Sequence, residues 1–150
     1  MSMSDQVQSA RLVISPGYPL GVTEAMIETL VRAFYVKVRA DETIGPIFTA
    51  RIADDDWEPH LKTMFDFWSS VTLMTGRYHG TPMVAHARIA EIGPEHFARW
   101  LELFAETAAE VCPPEAAALF VDRSQRIAQS LQMGIAVTRG ELPPLDGPAG

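Results

Sequence analysis

Between Thr23 and Val137 the apolar residues fall at helical spacing. Met26, Ile27, Leu30, Val31, Phe34, Tyr35 and Val38 recur at i, i+4, i+7 and i+8 intervals and predict an amphipathic helix that Thr23 can cap. Pro46 disfavours helical geometry at Gly45 before it, so the chain turns there. Asp54, Asp55 and Asp56 are acceptors suited to a helix start, and Pro59 is tolerable in the first turn that follows. From Trp57 to Met74 apolar residues cover more than half of the helix surface, which predicts burial on two sides, and Gly76 is expected to end the run. Thr81-Pro82 reads as cap and first position of a short helix over Met83 to Glu91. Gly93-Pro94 starts another, with Phe97, Trp100, Leu101, Phe104 and Ala108 on one face. Pro113-Pro114 breaks it, and a last helix carries Ala116, Leu119, Phe120, Ile127, Leu131 and Gly134. No β-branched runs alternate with polar residues and no hairpin turn joins such runs, so the expected class is all-α.

The two ends carry a different pattern. Residues 1–22 show no helical period and contain Pro16-Gly17-Tyr18-Pro19, so a loosely held extension or short cap is expected. Residues 139–150 hold Pro143, Pro144 and Pro148 and read as a flexible tail, which leaves 23–138 as the domain. A length of 150 residues fits one domain with a real core. The chain is 47% hydrophobic and 21% charged, with a mean hydropathy of +0.05, which argues against disorder throughout. A net charge of −7 repels phosphate backbones and makes general nucleic-acid binding unexpected. A single cysteine, Cys112, supplies neither an intramolecular disulfide nor a thiolate cage for zinc. Met1 to Arg11 lacks the apolar stretch of a signal peptide, and no run approaches membrane-spanning length. A soluble, cytoplasmic location is the resulting expectation.

Phosphate loops, nucleophile elbows and zinc signatures are absent, which leaves four histidines, His60, His79, His86 and His96, in an aromatic-rich chain. His60 shares a helical stripe with Met64, Phe67 and Val71. An imidazole there needs either a backbone carbonyl partner within the core or a cavity holding a ligand. His86 has small neighbours, which suits either a surface position or the approach of something bulky to the ring. Tyr35 and Trp100 point inward from apolar faces. Their O–H and N–H groups want acceptors, either the backbone or a bound small molecule. Two histidines on different helices, two aromatic donors on others, and Phe48, Phe67, Phe97 and Phe104 around them together favour a haem slot. A non-haem iron or zinc site would want carboxylate ligands, and the acidic residues lie mainly at helix starts or on polar faces.

These residues also form a recognisable pattern. Phe34-Tyr35, Val38-Arg39, Asp41 and Ile44-Gly45-Pro46-Ile47-Phe48 resemble the opening of a truncated haemoglobin. His60-Leu61-Lys62, Met64 and Phe67-Trp68 follow as that family's distal helix does. Tyr78, Gly80, Pro82-Met83, His86, His96-Phe97, Arg99-Trp100-Leu101 and Leu103-Phe104 are similar to its third group, and the likeness spans roughly Glu24 to Ile135. The single glycines Gly45, Gly76 and Gly80, in place of paired ones, fit that group better than the first two.

The resemblance implies a two-over-two helical sandwich around one haem b, with His86 as the proximal iron ligand. It implies Tyr35, Trp100 and His60 as the distal, ligand-stabilising residues. By the same resemblance Phe48 would wedge against the haem, Met64 would take the distal wall, and Phe67, Tyr78 and Phe97 would complete the cofactor-binding set. His60 is expected to gate the site or to coordinate iron in the ligand-free state. Arg77, Tyr78 and His79 are candidates for the haem propionates or, equally, solvated loop residues. His96 is expected to be structural or exposed, and Glu106 and Glu110 simply solvated. The expected ligands are O₂, NO, CO or peroxide, with an unidentified reductase returning the iron to the ferrous state. Donors that hold O₂ tightly favour nitric oxide dioxygenase or peroxidase-like chemistry over transport. Two alternatives stand beside this reading. One is a ligand sensor or electron-transfer protein without turnover, and the other is a haem-free helical interaction protein.

Overall fold

A computed structural model describes residues 3–80, 92–138 and 140. Six α-helices are present among them: α1 (Met3–Ile14), α2 (Glu24–Ala40), α3 (Gly45–Arg51), α4 (Trp57–Leu73), α5 (Pro94–Val111) and α6 (Pro114–Thr138). Short 3₁₀ turns cover Tyr18–Leu20 and Asp54–Asp56, and the described residues contain no strand. Helix α5 packs along α6, and α2 packs on both α5 and α4. The result is the expected all-α, two-over-two sandwich, with the α2–α4 pair against the α5–α6 pair. The short helix expected over Met83 to Glu91 lies outside the described residues, as does the 139–150 tail apart from Gly140.

The periodic faces become the core. Ile27, Leu30, Val31, Phe34 and Val38 of α2 are essentially fully buried. They meet Trp68 of α4, Phe104 and Ala108 of α5, and Ala116 and Phe120 of α6. Thr23 caps α2 as expected, its hydroxyl accepting from the Met26 N–H at 3.1 Å. The acidic triplet before α4 behaves differently from the expectation. Asp54–Asp56 form the 3₁₀ turn itself, and no Asp56 side chain caps α4. Their charge still lies where the helix dipole favours it. The far end of α4 stops earlier than expected, at Leu73. Met74 adopts the left-handed conformation (φ 56°) there, ahead of Gly76. Glu106 and Glu110 are likewise more than solvated, since Lys37 Nζ donates to them at 2.9 and 2.7 Å. Such exposed pairs contribute little to stability.

The largest departure lies in the first twenty-two residues, where α1 forms although the segment has no amphipathic period. Its Met, Gln, Ala, Arg and Leu residues favour helix on their own. Among the described side chains of α1, Leu12 packs against the core while Met3, Val7, Val13 and Ile14 face solvent, so no periodic pattern was required. The segment after α1 is tied down. Gly17 N–H donates to the Thr72 carbonyl at 2.8 Å, and a Cβ on Gly17 would lie 2.8 Å from that same oxygen. Only glycine allows this approach.

Candidate functional site

The α2–α3 corner positions one wall of the site. A Cβ at Gly45 would come within 2.9 Å of the Val38 carbonyl oxygen, so glycine lets α3 start directly against the end of α2. Asp41 organises the same corner. Its Oδ2 accepts from the Thr43 and Ile44 N–H groups, each at 3.0 Å, and its Oδ1 accepts from Arg99 Nε on α5 at 2.8 Å. Burial opposes ionisation of this carboxyl, but the Ile44 N–H, the Arg99 guanidinium and the Thr43 N–H outweigh it and hold its pKa below the usual carboxylate range. The stability Asp41 contributes is therefore complete above about pH 4 and is lost as pH falls through the lowered folded value. Urea unfolding should show Asp41→Asn less stable than the parent at pH 7, with the gap narrowing towards pH 2. A gap of the same size at both pH values would show that the charge is not what stabilises the corner.

Between α2, α3, α4, α5 and α6 lies a cavity of about 370 Å³. Tyr35, Phe48, His60, Met64, Phe67, Tyr78, Phe97 and Trp100 all stand on its wall, so eight of the nine residues singled out from the sequence converge on one space. The ninth, His86, lies outside the described residues. The remaining wall is mostly aliphatic, from Ile44, Ile47 and Ile52 on one side and Ile127 and Leu131 on the other. The second buried side expected of the helix after Trp57 is thus the cavity: Trp68 and Leu73 face the core while His60, Met64 and Phe67 face the opening.

The donors are held by ring packing. Phe34, buried beneath the wall, meets Tyr35 at 5.0 Å and Trp100 at 5.5 Å between centroids, both edge-on. Trp100 also stacks on Phe104 at 5.5 Å with a 5° interplanar angle. Tyr35 meets the His60 ring edge-on at 5.2 Å and Phe48 at 5.9 Å. Burial pushes the Tyr35 phenol far above its usual range, so it stays protonated and remains a donor at any physiological pH. Tyr78 packs edge-on against Phe67 at 5.1 Å, its backbone N–H donating to Ser70 Oγ at 3.0 Å, and burial raises its phenol as well.

Sequence reasoning missed Trp57 and Arg51, and it expected His96 to be structural or exposed, not on the cavity wall. Trp57 is buried against both Tyr35 (5.8 Å) and His60 (5.7 Å), with the Arg39 guanidinium 4.6 Å from its ring centre. Its position as the first residue of an apolar helix was the available signal. Arg51 and His96 line the cavity too, although no apolar period marks either. The propionate candidates divide. Tyr78 is on the wall. Arg77 is not; it pairs with Glu24 and lies 3.4 Å from Asp66, and His79 is exposed away from the wall. Among the described residues, no three His, Cys, Asp or Glu side chains group to hold a metal ion, and no helix is long and apolar enough to cross a membrane.

An apolar slot with a few convergent donors fits the flat, largely apolar disc of a haem. The comparisons agree. The family model described as bacterial-like globin matches residues 19–132. The group 3 truncated hemoglobin of Campylobacter jejuni is 34% identical over 113 residues, covering 74% of this chain and 89% of that protein. The crystal structure of the group III truncated hemoglobin from Campylobacter jejuni superposes with a TM-score of 0.70, again covering 74% of this chain and 89% of that one. The chain belongs to the bacterial-like globin family, whose members bind small ligands through haem, and within it to the third group of truncated haemoglobins.

Proposed function

We propose that this globin holds haem b in the cavity through His86 and retains O₂ for reaction with nitric oxide or for peroxide chemistry, rather than delivering it. The observation that carries this reading is the placement of the Tyr35 and Trp100 donors on one apolar wall, both fixed by Phe34. A haem held there would supply the iron chemistry that activates a diatomic ligand and draws negative charge onto it. The protein's part is to meet that charge and exclude water. The Tyr35 phenol, kept protonated by burial, donates its O–H into the slot, and the Trp100 indole donates its N–H. Phe48, Met64 and Phe67 present carbon to the same space, so the donors act in a low dielectric without competition from solvent. His60 packs edge-on against Tyr35 and Trp57, and its role in this reading is to gate entry or to coordinate iron in the ligand-free state.

The first test is the visible absorption spectrum of the purified protein, ferric, then dithionite-reduced, then exposed to carbon monoxide. A Soret band that moves at each step is expected, and His86→Ala should abolish the five-coordinate ferrous spectrum of the parent. No Soret band after added haemin would sink the haem reading. An unchanged spectrum in His86→Ala would reassign the proximal ligand. The finer question, retention against release of O₂, is decided by the donor substitutions argued in the Discussion.

A further inference from the structure

His96 is the histidine on the cavity wall that the reading above leaves without a role. It occupies the third position of α5, where its Nδ1 accepts the Gly93 N–H at 2.8 Å. Glu95 Oε1 lies 3.6 Å from that same nitrogen. A ring nitrogen that accepts carries no proton, so the neutral imidazole holds its proton on Nε2. The start of α5 thus fixes both the tautomer and the ring before any ligand arrives. Capping alone needs one acceptor, which glutamate or glutamine commonly supplies at this position. What histidine adds is a second nitrogen, a donor on a rigid ring whose side chain is only 17% exposed.

A haem carries two carboxylates, and one held within an otherwise apolar slot requires a donor. Arg77 is engaged by Glu24 and Asp66, and His79 lies off the wall, which leaves Tyr78, Arg51 and His96 as the polar side chains on the wall that could meet two carboxylates. Of these, His96 has its ring held in place by a hydrogen bond from the backbone. We propose that His96 is a cofactor-binding residue whose Nε2–H donates to a haem propionate. The proposal rests on haem being the occupant of the cavity. Donation to a carboxylate is charge-assisted and stronger than a neutral hydrogen bond.

The test measures transfer of ferric haemin from the protein to an excess of a high-affinity apo-globin acceptor. His96→Gln keeps an acceptor for the Gly93 N–H, and since glutamine's amide cannot also reproduce the rigid Nε2 donor, haemin loss should accelerate about tenfold or more. The same pair of proteins is then loaded with haemin dimethyl ester, whose carboxylates carry no charge. With the ester the two rates should agree within about twofold. Equal acceleration for haemin and its ester would make His96 a structural cap only and overturn the proposal. Should the variant fold poorly, the unsubstituted protein gives a second reading. In its diamagnetic ferrous carbon monoxide complex, the ¹⁵N resonance of His96 Nε2 should shift between haemin-derived and ester-derived cofactor, and an unmoved resonance would again overturn it. A chain without a Soret band fails the haem reading itself, whereas a normal Soret band with equal acceleration fails this inference alone.

Discussion

Replacing both donors, Tyr35→Phe and Trp100→Phe, is expected to speed O₂ dissociation a hundredfold or more. In the proposed reading each substitution would remove one hydrogen bond to a charge-bearing ligand atom while leaving most of a ring in place to fill the wall. A hydrogen bond to a charged group contributes about 1.5–3 kcal/mol, and about 1.4 kcal/mol is a factor of ten. The low-dielectric setting works in the same direction, since water is kept from competing. Tyr35 is the better placed of the two. It is 7% exposed and its ring is boxed by Phe34, Phe48, Trp57 and His60, so the position of its phenol oxygen is fixed. Stopped-flow displacement of O₂ by carbon monoxide measures the effect in the single variants and the double variant. If neither single substitution speeds release by more than about threefold, roughly 0.7 kcal/mol, the donor model fails and a transport or sensing role gains ground.

Phe104→Ala should cost about 3–5 kcal/mol of folding stability, the range for a fully buried phenylalanine truncated in a core. Phe104 has no exposed surface and joins the pairs of helices at their centre. It stacks on Trp68 at 4.9 Å and on Trp100 at 5.5 Å, and meets Phe34 edge-on at 5.1 Å. The three neighbouring rings cannot close over such a hole without leaving their own contacts, so the cavity persists and the full cost is felt. Out of a typical 5–15 kcal/mol for a domain, that is a large share, and Tm should fall by on the order of 10 °C. Urea unfolding of the parent and variant gives the number directly. A loss below about 1 kcal/mol would mean the aromatic cluster relaxes and is not the rigid support described above. Because Trp100 stacks on Phe104, the same substitution should also loosen the Trp100 donor and raise the O₂ off-rate.

Much of this was legible along the chain because the relevant signals are local. The stripe from Met26 to Val38 returned as the buried face of α2 because helical geometry places residues three and four apart side by side. The inward aim of Tyr35 follows from that register, as does that of Trp100 from α5. Other features were not legible. Helix α1 has no apolar face to announce it, since it touches the core through Leu12 and is otherwise solvated. Met74, two residues ahead of Gly76, ends α4 in the left-handed conformation, which its residue type does not announce. Arg51 and His96 give no periodic signal, and each reaches the wall only because of where α3 and α5 meet the cavity.

The sequence by itself determined the helical class, the core-facing stripes and the inward faces that carry Tyr35 and Trp100, because each depends on residue type and on spacing within one helix. The tertiary structure decided which side chains share a cavity, that Arg77 is spent on Glu24 and Asp66, and that His96 stands on the wall with its Nδ1 committed. Those outcomes depend on contacts between residues far apart in the chain. They are set by the close approach at Gly45, the Asp41–Arg99 pair across two helices and the shared Phe34 ring, none of which a one-dimensional pattern encodes.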